Sequence, residues 1–533
     1  MADGATIVGS KAALPAFKAG EGAGVKELTL LSNETQKTVN ITTGLMNFSY
    51  YESILQDVVR ATVTFMDTGD SVDGKTVMEG LPVYGSEAAS IWIEDNNKKS
   101  IKVKLFVNKP DDLLDDTRKR VCNLNFASKE FFDNEKIRVN IRFDGKIANG
   151  KDKSEEGGSI EKILKTDEKF LNTQKEIFIE KTSNERNFIG NNWKCFYIIN
   201  WLATQSVPSD EENPEGVQTN SSAGFMFWET ADGFHFKSID GLMNTETNPV
   251  KRRFIYNETA EGPCSGKMPE GYDAKVLEMT IDNRVNVQQK LKMGAYSTRT
   301  WTFNPYNSSV EIIYPNAFVN ATGTPPANSK GNQDYLKLAG KKLPFLNKEF
   351  NNTVDFSRTE FMVLDVGSLP EGNGSGEEGE NQQLGENSKI ENSKPLQTLN
   401  QGNMRINQLF ASKVVITIPG DFELHAGDAV YFDAPGLRKD KKAKGTEEID
   451  KHISGNYIIA SICHYLDGSN TLTKMDLVRD SFGRKPQKRV NVQSLTNEER
   501  DSMAGTIVND TKGGESYIFD SRTQGALDAL SDK

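Results

Sequence analysis

Histidine and cysteine are scarce here, with four of each in 533 residues. The cysteines, Cys122, Cys195, Cys264 and Cys463, stand far apart and make no CxxC pair, so the usual zinc and dithiol motifs are missing. Scattered single cysteines fit folding in a reducing compartment, and no disulfide is expected. No apolar run reaches the roughly 18 residues a membrane-spanning helix needs. Residues 1–25 lack the continuous apolar core of a secretory signal. Basic residues are outnumbered, 64 Lys and Arg against 75 Asp and Glu, for a net charge of -11. A surface of clustered cations for holding phosphates is therefore not expected. HExxH, GxSxG and GxxxxGK[ST] are all absent.

What is present is strand-rich. The stretches VKELTLLSN, TVNITTGLMNFSYYESI, VVRATVTFMD, EAASIWIED and SIKVKLFVN alternate apolar with polar residues and are broken by Gly, Asp and Asn. In the last, Ile101, Val103, Leu105 and Val107 face one way, and Lys102, Lys104 and Phe106 the other. That pattern suits a small antiparallel barrel or sandwich with one wet face. Helical character follows in FASKEFFDNEKIRV and in GGSIEKILKTDEKFL, where Ser159 is placed to cap. EIFIEKT reads as a strand. In NERNFIGNNWKCFYIINWLATQSV, Trp193, Phe196, Tyr197, Asn200, Trp201 and Ala203 recur at helical spacing and read as a core stripe. GFMFWETADGFHFKSIDGL reads as a hairpin with Phe225, Phe227, Phe234 and Phe236 on one face. The segment from Asn283 is expected to be helical, to stop near Gly294 and to become a strand. Residues 368–403 are rich in Gly, Asn, Glu and Ser and read as an exposed linker. The β pattern then returns through LFASKVVITIPGDFELHAGDAVYFDAP and HISGNYIIASICHYLDGSNTLTKMDLVRD.

Few residues offer chemistry. His464 ends the apolar row Ile458, Ala460, Ile462, while Cys463 lies on the opposite strand face, so the two cannot share a metal. His464 is read as wall material. His235 faces away from Phe234 and Phe236 and reads as a surface or edge histidine. The acidic run PDDLLDDT, from Pro110 to Thr117, lacks the Gly and final Glu of a calcium loop and reads as a charged turn. Single carboxylates are read as solvated surface groups. No catalytic, cofactor-binding or metal residue is assigned, and no cofactor.

The stretch FSYYESILQDVVRATVTFMDTGDSVDGKTVMEGLPVYGSE resembles the first tube-forming barrel of the baseplate hub proteins of contractile-tailed bacteriophages, which are related to the hub part of VgrG-type spikes. The resemblance rests on Tyr51 to Ile54, Thr62 to Asp67 and Leu81 to Glu87. It continues in order through FASKEFF, NFIGNN…FYIINWLA, the 223–242 hairpin, KMGAYSTRT and IPGDFELHAGDAVYFD…SGNYIIASICHYLD. It spans about residues 26–482. It implies a mainly β chain with α+β accessory parts: two similar small antiparallel β-barrels, the tube domains, plus an inserted helix-containing domain. The implied layout is an N-terminal arm at 1–25 and barrel 1 at 26–127. An accessory domain takes 128–222 and 243–367, barrel 2 takes 223–242 and 404–482, the linker 368–403, and a polar C-terminal tail 483–533. The resemblance further implies a non-enzymatic virion protein of the tail baseplate, assembled in the bacterial host's cytoplasm. It would be a homotrimer forming a pseudo-sixfold ring that joins a central spike to the tail tube or its initiator. Surrounding baseplate wedge proteins are further expected neighbours, and DNA passes through the channel without specific binding. The net charge suggests a lining with more Asp and Glu than Lys and Arg. A carbohydrate-binding tail adhesin and a cell-wall hydrolase are the alternative readings.

Overall fold

The computed structural model describes residues 24–256, 276–313, 358–363, 402–480, 489–491, 507–509 and 515–518. Within these, 70–71, 96, 117–118, 151–156, 184, 210–222, 245–246, 282–285, 296–297, 305–307, 404, 411, 435–452 and 468–469 are not described. The chain divides into two compact units. The first holds Met1–Ala203, Phe225–Asn283 and Lys413–Arg479, and the second holds Thr204–Gly224, Arg284–Ser412 and Asp480–Lys533.

The first unit opens with strands β1 (Gly24–Leu31), β2 (Thr38–Asn40), β3 (Leu45–Ser53), β4 (Arg60–Asp67), β5 (Ala88–Glu94), β6 (Ser100–Asp116) and β7 (Lys119–Ala127). A single turn of helix, α1 (Val77–Gly80), is capped by the Thr76 side chain, which accepts from the Glu79 N–H. There follow α2 (Lys129–Lys136), β8 (Arg142–Phe143), α3 (Ser159–Glu161), which runs into a π-helical turn, β9 (Glu176–Ile179), β10 (Phe188–Ile189) and α4 (Cys195–Ala203). Next come the hairpin β11 (Phe225–Glu229) and β12 (Gly233–Ser238), then α5 (Ile239–Met243), β13 (Val250–Ile255) and β14 (Glu278–Ile281). The second unit contributes α6 (Val287–Lys292), β15 (Thr298–Asn304), β16 (Ser309–Ile313) and β17 (Arg358–Val363). The first unit is completed by β18 (Ser412–Pro419), which starts at the boundary, β19 (Ala429–Asp433), β20 (Gly455–Asp467) and β21 (Asn470–Arg479).

One 13-stranded sheet dominates, in the order β14-β18-β21-β20-β3-β4-β7-β6-β5-β1-β2, with β19 also on β20 and β13 on β19. Alternation explains its core. Leu28, Val63, Phe65, Ile91, Ile93, Leu105, Val107, Leu124 and Phe126 are buried together, joined by Phe422 and Leu466 from the distant C-terminal block. Two long strands pass from one set of partners to another. The 17-residue β6 pairs with β5 over Ser100–Phe106 and with β7 from Phe106 onward. The 13-residue β20 pairs with β19 over Gly455–Ile458 and with β3 over Ser461–Asp467, and its register to β21 shifts between Ile459 and Ser461. Such a bulge bends a strand and lets it serve two directions.

The chain is mainly β, as expected, but where two similar small barrels were expected no closed barrel is found among the described residues. A strand has two hydrogen-bonding edges. Those of β3 are taken by β4 and β20. The bonds that would close the first block on itself instead join it to the second.

The hairpin at 223–242 is also corrected. β12 pairs in parallel with β9, not with any strand of 404–482, making a three-stranded sheet β11-β12-β9. Its phenylalanines Phe225, Phe227, Phe234 and Phe236 pack in a core with Ile160, Ile163, Phe188 and Ile199. Conversely β13 and β14, expected in the accessory part, pair with β19 and β18. The face of α4 differs too. Cys195, Phe196, Ile198, Ile199, Leu202 and Ala203 are buried, whereas Tyr197 is 56% exposed and Trp193 and Trp201 are half-buried beside it. The apolar side of a helix that packs on two partners is broad, and the aliphatic face reaches the core first. Ser159 does not cap: Gly158 holds the cap position, and Ser159 is buried in the first turn.

In the second unit α6 ends at Lys292, Gly294 takes a positive φ of 77°, and β15 begins at Thr298, as the sequence suggests. β15 carries β16 on one edge and β17 on the other. Arg405 is ion-paired with Asp480, both buried. The expected tail contains three short strands, β22 (Arg489–Asn491), β23 (Ile507–Asn509) and β24 (Glu515–Ile518), paired antiparallel. The linker at 368–403, apart from Gly402 and Asn403, and nearly all of the N-terminal arm at 1–25 lie outside the described residues.

Candidate functional site

The densest polar cluster in the first unit is built around Glu52. It sits on β3, on the same strand face as Phe48 and Tyr50, and is 1% exposed. Its Oε1 accepts from the Tyr50 hydroxyl at 3.0 Å, the Ala231 N–H at 2.8 Å and His425 Nδ1 at 3.1 Å. Its Oε2 accepts from the Ala426 N–H at 3.0 Å. Thus one carboxylate ties β3, the turn between β11 and β12, and the loop between β18 and β19. Burial alone would raise its pKa. The His425 charge, its hydrogen bond and the Ala426 N–H outweigh that and hold it at about 2. Burial would likewise depress His425, but Glu52, then Asp428 and Asp232, lift it to about 9. The pair is therefore an imidazolium on a carboxylate.

Beside it stands His464, fully buried. Its Nε2–H donates to the Leu424 carbonyl at 3.3 Å, and its Nδ1 accepts from the Thr473 hydroxyl at 3.0 Å, the tautomer that the carbonyl requires. Burial depresses its pKa to about 4. It stacks on Tyr50 with ring centroids 6.2 Å apart and meets Phe422 edge-on at 5.1 Å. This is packing, in agreement with the sequence reading, and Cys463 does lie on the other face, opposite Tyr51.

His235 corrects its expectation. It is not an edge residue: it is sandwiched between Phe178 at 4.8 Å and Trp228 at 5.1 Å, and Nε2 meets the Thr230 hydroxyl at 2.9 Å. Burial pulls its pKa down to about 3. The parallel strand β9 takes the edge that a lone hairpin would leave open and sets Phe178 beside His235, opposite Trp228. A second buried cluster holds Glu229, whose Oε2 accepts from the Val59 N–H at 3.0 Å and whose other oxygen meets Lys175; Lys175 also bonds Glu130 at 2.6 Å. Burial raises Glu229 to about 7 against the pull of Lys175.

Chemically, these groups are occupied. Each Glu52 oxygen is already hydrogen-bonded, and no group of three or more metal-ligating side chains gathers among the described residues. The acidic run at 110–117 is largely strand: β6 reaches Asp116, and Asp111 is ion-paired with Lys109 at 2.8 Å. This corrects the charged turn expected there, and Thr117 lies outside the described residues. Sequence reasoning missed Glu52 because it counted carboxylates as surface. The available signal was its parity with Phe48 and Tyr50, which places an acid on a core face.

No protein-family description and no curated protein matches the chain. Several solved structures are similar to it. A tail protein from Neisseria meningitidis MC58 is 8% identical, with 86% of this chain and 98% of that one covered and a TM-score of 0.46. A 43 kDa tail protein of prophage MuSo2 from Shewanella oneidensis is 9% identical, with 86% and 100% covered and a TM-score of 0.44. An E. coli type VI secretion component, described as structurally similar to T4 bacteriophage tail proteins, is 7% identical, with 86% and 79% covered and a TM-score of 0.39.

Proposed function

We propose that this chain is a structural baseplate hub subunit of a contractile phage tail. Three copies form a pseudo-sixfold ring that joins a central spike to the tail tube and leaves a channel for DNA. It carries out no catalysis, needs no cofactor, and resides in the virion. The observation that supports this most is the β3–β20 seam. Two strand-rich blocks are fused by a ladder from Ser53–Ser461 to Asn47–Asp467, whose paired residues stand more than 400 positions apart, and by one shared apolar core. A ring subunit that contributes two blocks of wall needs such a rigid join, because relative motion of the blocks would change the bore. The buried charges fit the same role: Glu52 and His425 tie β3 to the loop between β18 and β19, and both Glu52 oxygens are hydrogen-bonded within the chain.

The test is the mass of the purified protein in solution by size-exclusion chromatography with light scattering at micromolar concentration. A trimer with ring-shaped particles in electron micrographs is expected. Folded monomers under those conditions overturn the reading.

A further inference from the structure

A cleft of about 380 Å³ opens at the corner where β6 leaves β5 for β7. Phe106 pairs with Ala88 of β5 and with Ala127 of β7, and there the ladder slips. Val107 faces Phe126 and Lys109 faces Asn125, so Asn108 is left over. A bulge of this kind bends the strand and re-aims its extra side chain. Tyr51, Arg60, Asn108, Lys109, Asn125 and Phe131 are among the lining residues. Arg60 opens β4 directly across from Tyr51 of β3 and Ala127 of β7. Its guanidinium stands 5.8 Å from the centre of the Phe131 ring and makes no hydrogen bond or ion pair among the described residues. Asp57 feels its charge but is held by Asn200, whose amide donates to it at 2.7 Å. The Asn108 amide has no hydrogen bond among the described residues either. The other polar groups are engaged. Lys109 is paired with Asp111 at 2.8 Å, and Asn125 accepts from the Thr62 hydroxyl at 3.2 Å and donates to Asp111 at 3.3 Å. The lining therefore holds one unpaired positive charge, one open amide and two aromatic walls.

Beside the cleft a turn is pinned by a buried acid. Glu87, 2% exposed, accepts from the Tyr84 N–H at 3.0 Å and the Gly85 N–H at 2.8 Å, and the Ser86 N–H donates to the Val107 carbonyl at 2.6 Å. Ser86 takes a positive φ of 67°, uncommon for a residue with a side chain and a mark of backbone held in place. Gly85 abuts Asn108, since a Cβ there would lie 3.9 Å from the Asn108 carbonyl oxygen. The turn presents Tyr84 at 76% exposure. Tyrosine and arginine are the residues that anchor interfaces. The geometry points to this corner as a docking site for an acidic segment of a partner protein. One Asp or Glu carboxylate of that segment sits on Arg60 and Asn108 between the Tyr51 and Phe131 rings, and its apolar neighbours lie against Tyr84. The planar fork of a guanidinium matches a carboxylate, and one unpaired charge balances one carboxylate. Duplex DNA asks for several clustered cations, and here Lys109 is already held by Asp111. The site goes beyond the hub reading and holds or fails independently of the trimer.

The probe is the peptide acetyl-Ala-Phe-Glu-Ala-amide, titrated by calorimetry into the full chain at low salt. The same peptide with Gln in place of Glu, inorganic phosphate and a short DNA duplex are titrated beside it. Mass by light scattering and melting temperature are measured on every sample. The wild type should bind the Glu peptide about tenfold tighter or more than the Gln peptide, the effect of a hydrogen bond to a charged group. Arg60→Gln should erase that difference, and Arg60→Lys should restore only part of it, because an ammonium keeps the charge and loses the fork. Lys26→Gln, which removes a cation paired with Glu94 on another part of the sheet, should leave it unchanged. The peptide comparison is made on the wild type and so decides the matter even if a variant fails to fold. Equal binding of the two peptides overturns the assignment, as does a preference for phosphate or for duplex DNA. A fall in mass of a folded Arg60→Gln variant overturns it too, since the cleft is then filled by a second copy of this chain. None of these outcomes touches the hub reading, which stands or falls on the mass of the wild type.

Discussion

Glu52 is the side chain on which most depends, because three separate segments end on its two oxygens. Replacing it with alanine strands the Tyr50 hydroxyl, two backbone N–H groups and a buried imidazolium. The expected cost is about 3–5 kcal/mol, the range for breaking a buried pair from one side, and urea denaturation measures it. The histidines set a pH dependence whose sign differs from one to the next. His425 holds its proton up to about 9 against an ordinary 6.5, so its contribution is full below 6.5 and is lost as pH rises through 9. Glu52, held at about 2 against 4.5, contributes fully above 4.5 and loses it as pH falls through 2. His464 and His235 act against the fold in acid: depressed to about 4 and about 3, they leave the unfolded chain to take up protons first below 6.5. Stability should therefore peak near pH 6.5 and decline on both sides. His464→Gln should flatten the decline between pH 4 and 6.5 while leaving the alkaline limb unchanged; equal slopes in the two proteins would contradict the assignment.

Among the elements, the β11–β12 hairpin shows how a local pattern and its tertiary placement separate. Its alternating phenylalanines and its turn are legible from the residues alone. Its partner β9 is not, because alternation says which side chains share a face and nothing about which edge a strand will meet. The contact is close. Gly233 has φ 149°, and a Cβ there would lie 2.2 Å from the Glu176 carbonyl oxygen. Gly233→Ala should thus cost about 1–3 kcal/mol more than Gly69→Ala, since the latter meets nothing within 4 Å and bears only the backbone strain. Equal midpoints for the two variants would show that β9 yields. The same limit explains the misread helix α4. Helical spacing marks a broad apolar arc there, and only the packed core selects Ile198, Ile199 and Leu202 over Tyr197.

For the molecule as a whole, the described thiols are withdrawn from solvent to different degrees, Cys122 and Cys195 buried and Cys463 half-buried. Burial pushes Cys195 up to about 12 and Cys463 up to about 11. Neither should react appreciably with iodoacetamide at pH 7.5 until the protein unfolds, which peptide mapping before and after urea would test. Rapid labelling of either in the native state would mean that its surroundings open. The residues themselves determined the β character, the polar and apolar faces of the strands, the helix-to-strand change at Gly294 and the role of His464 as wall, because each follows from short-range periodicity and backbone preference. Only the tertiary structure decided that β3 takes β20 as a neighbour, that Glu52 is buried on His425, and that His235 is sandwiched between aromatic rings. Those outcomes depend on pairing across hundreds of residues, where the choice of edge is made by the sum of many contacts and is written in no single segment.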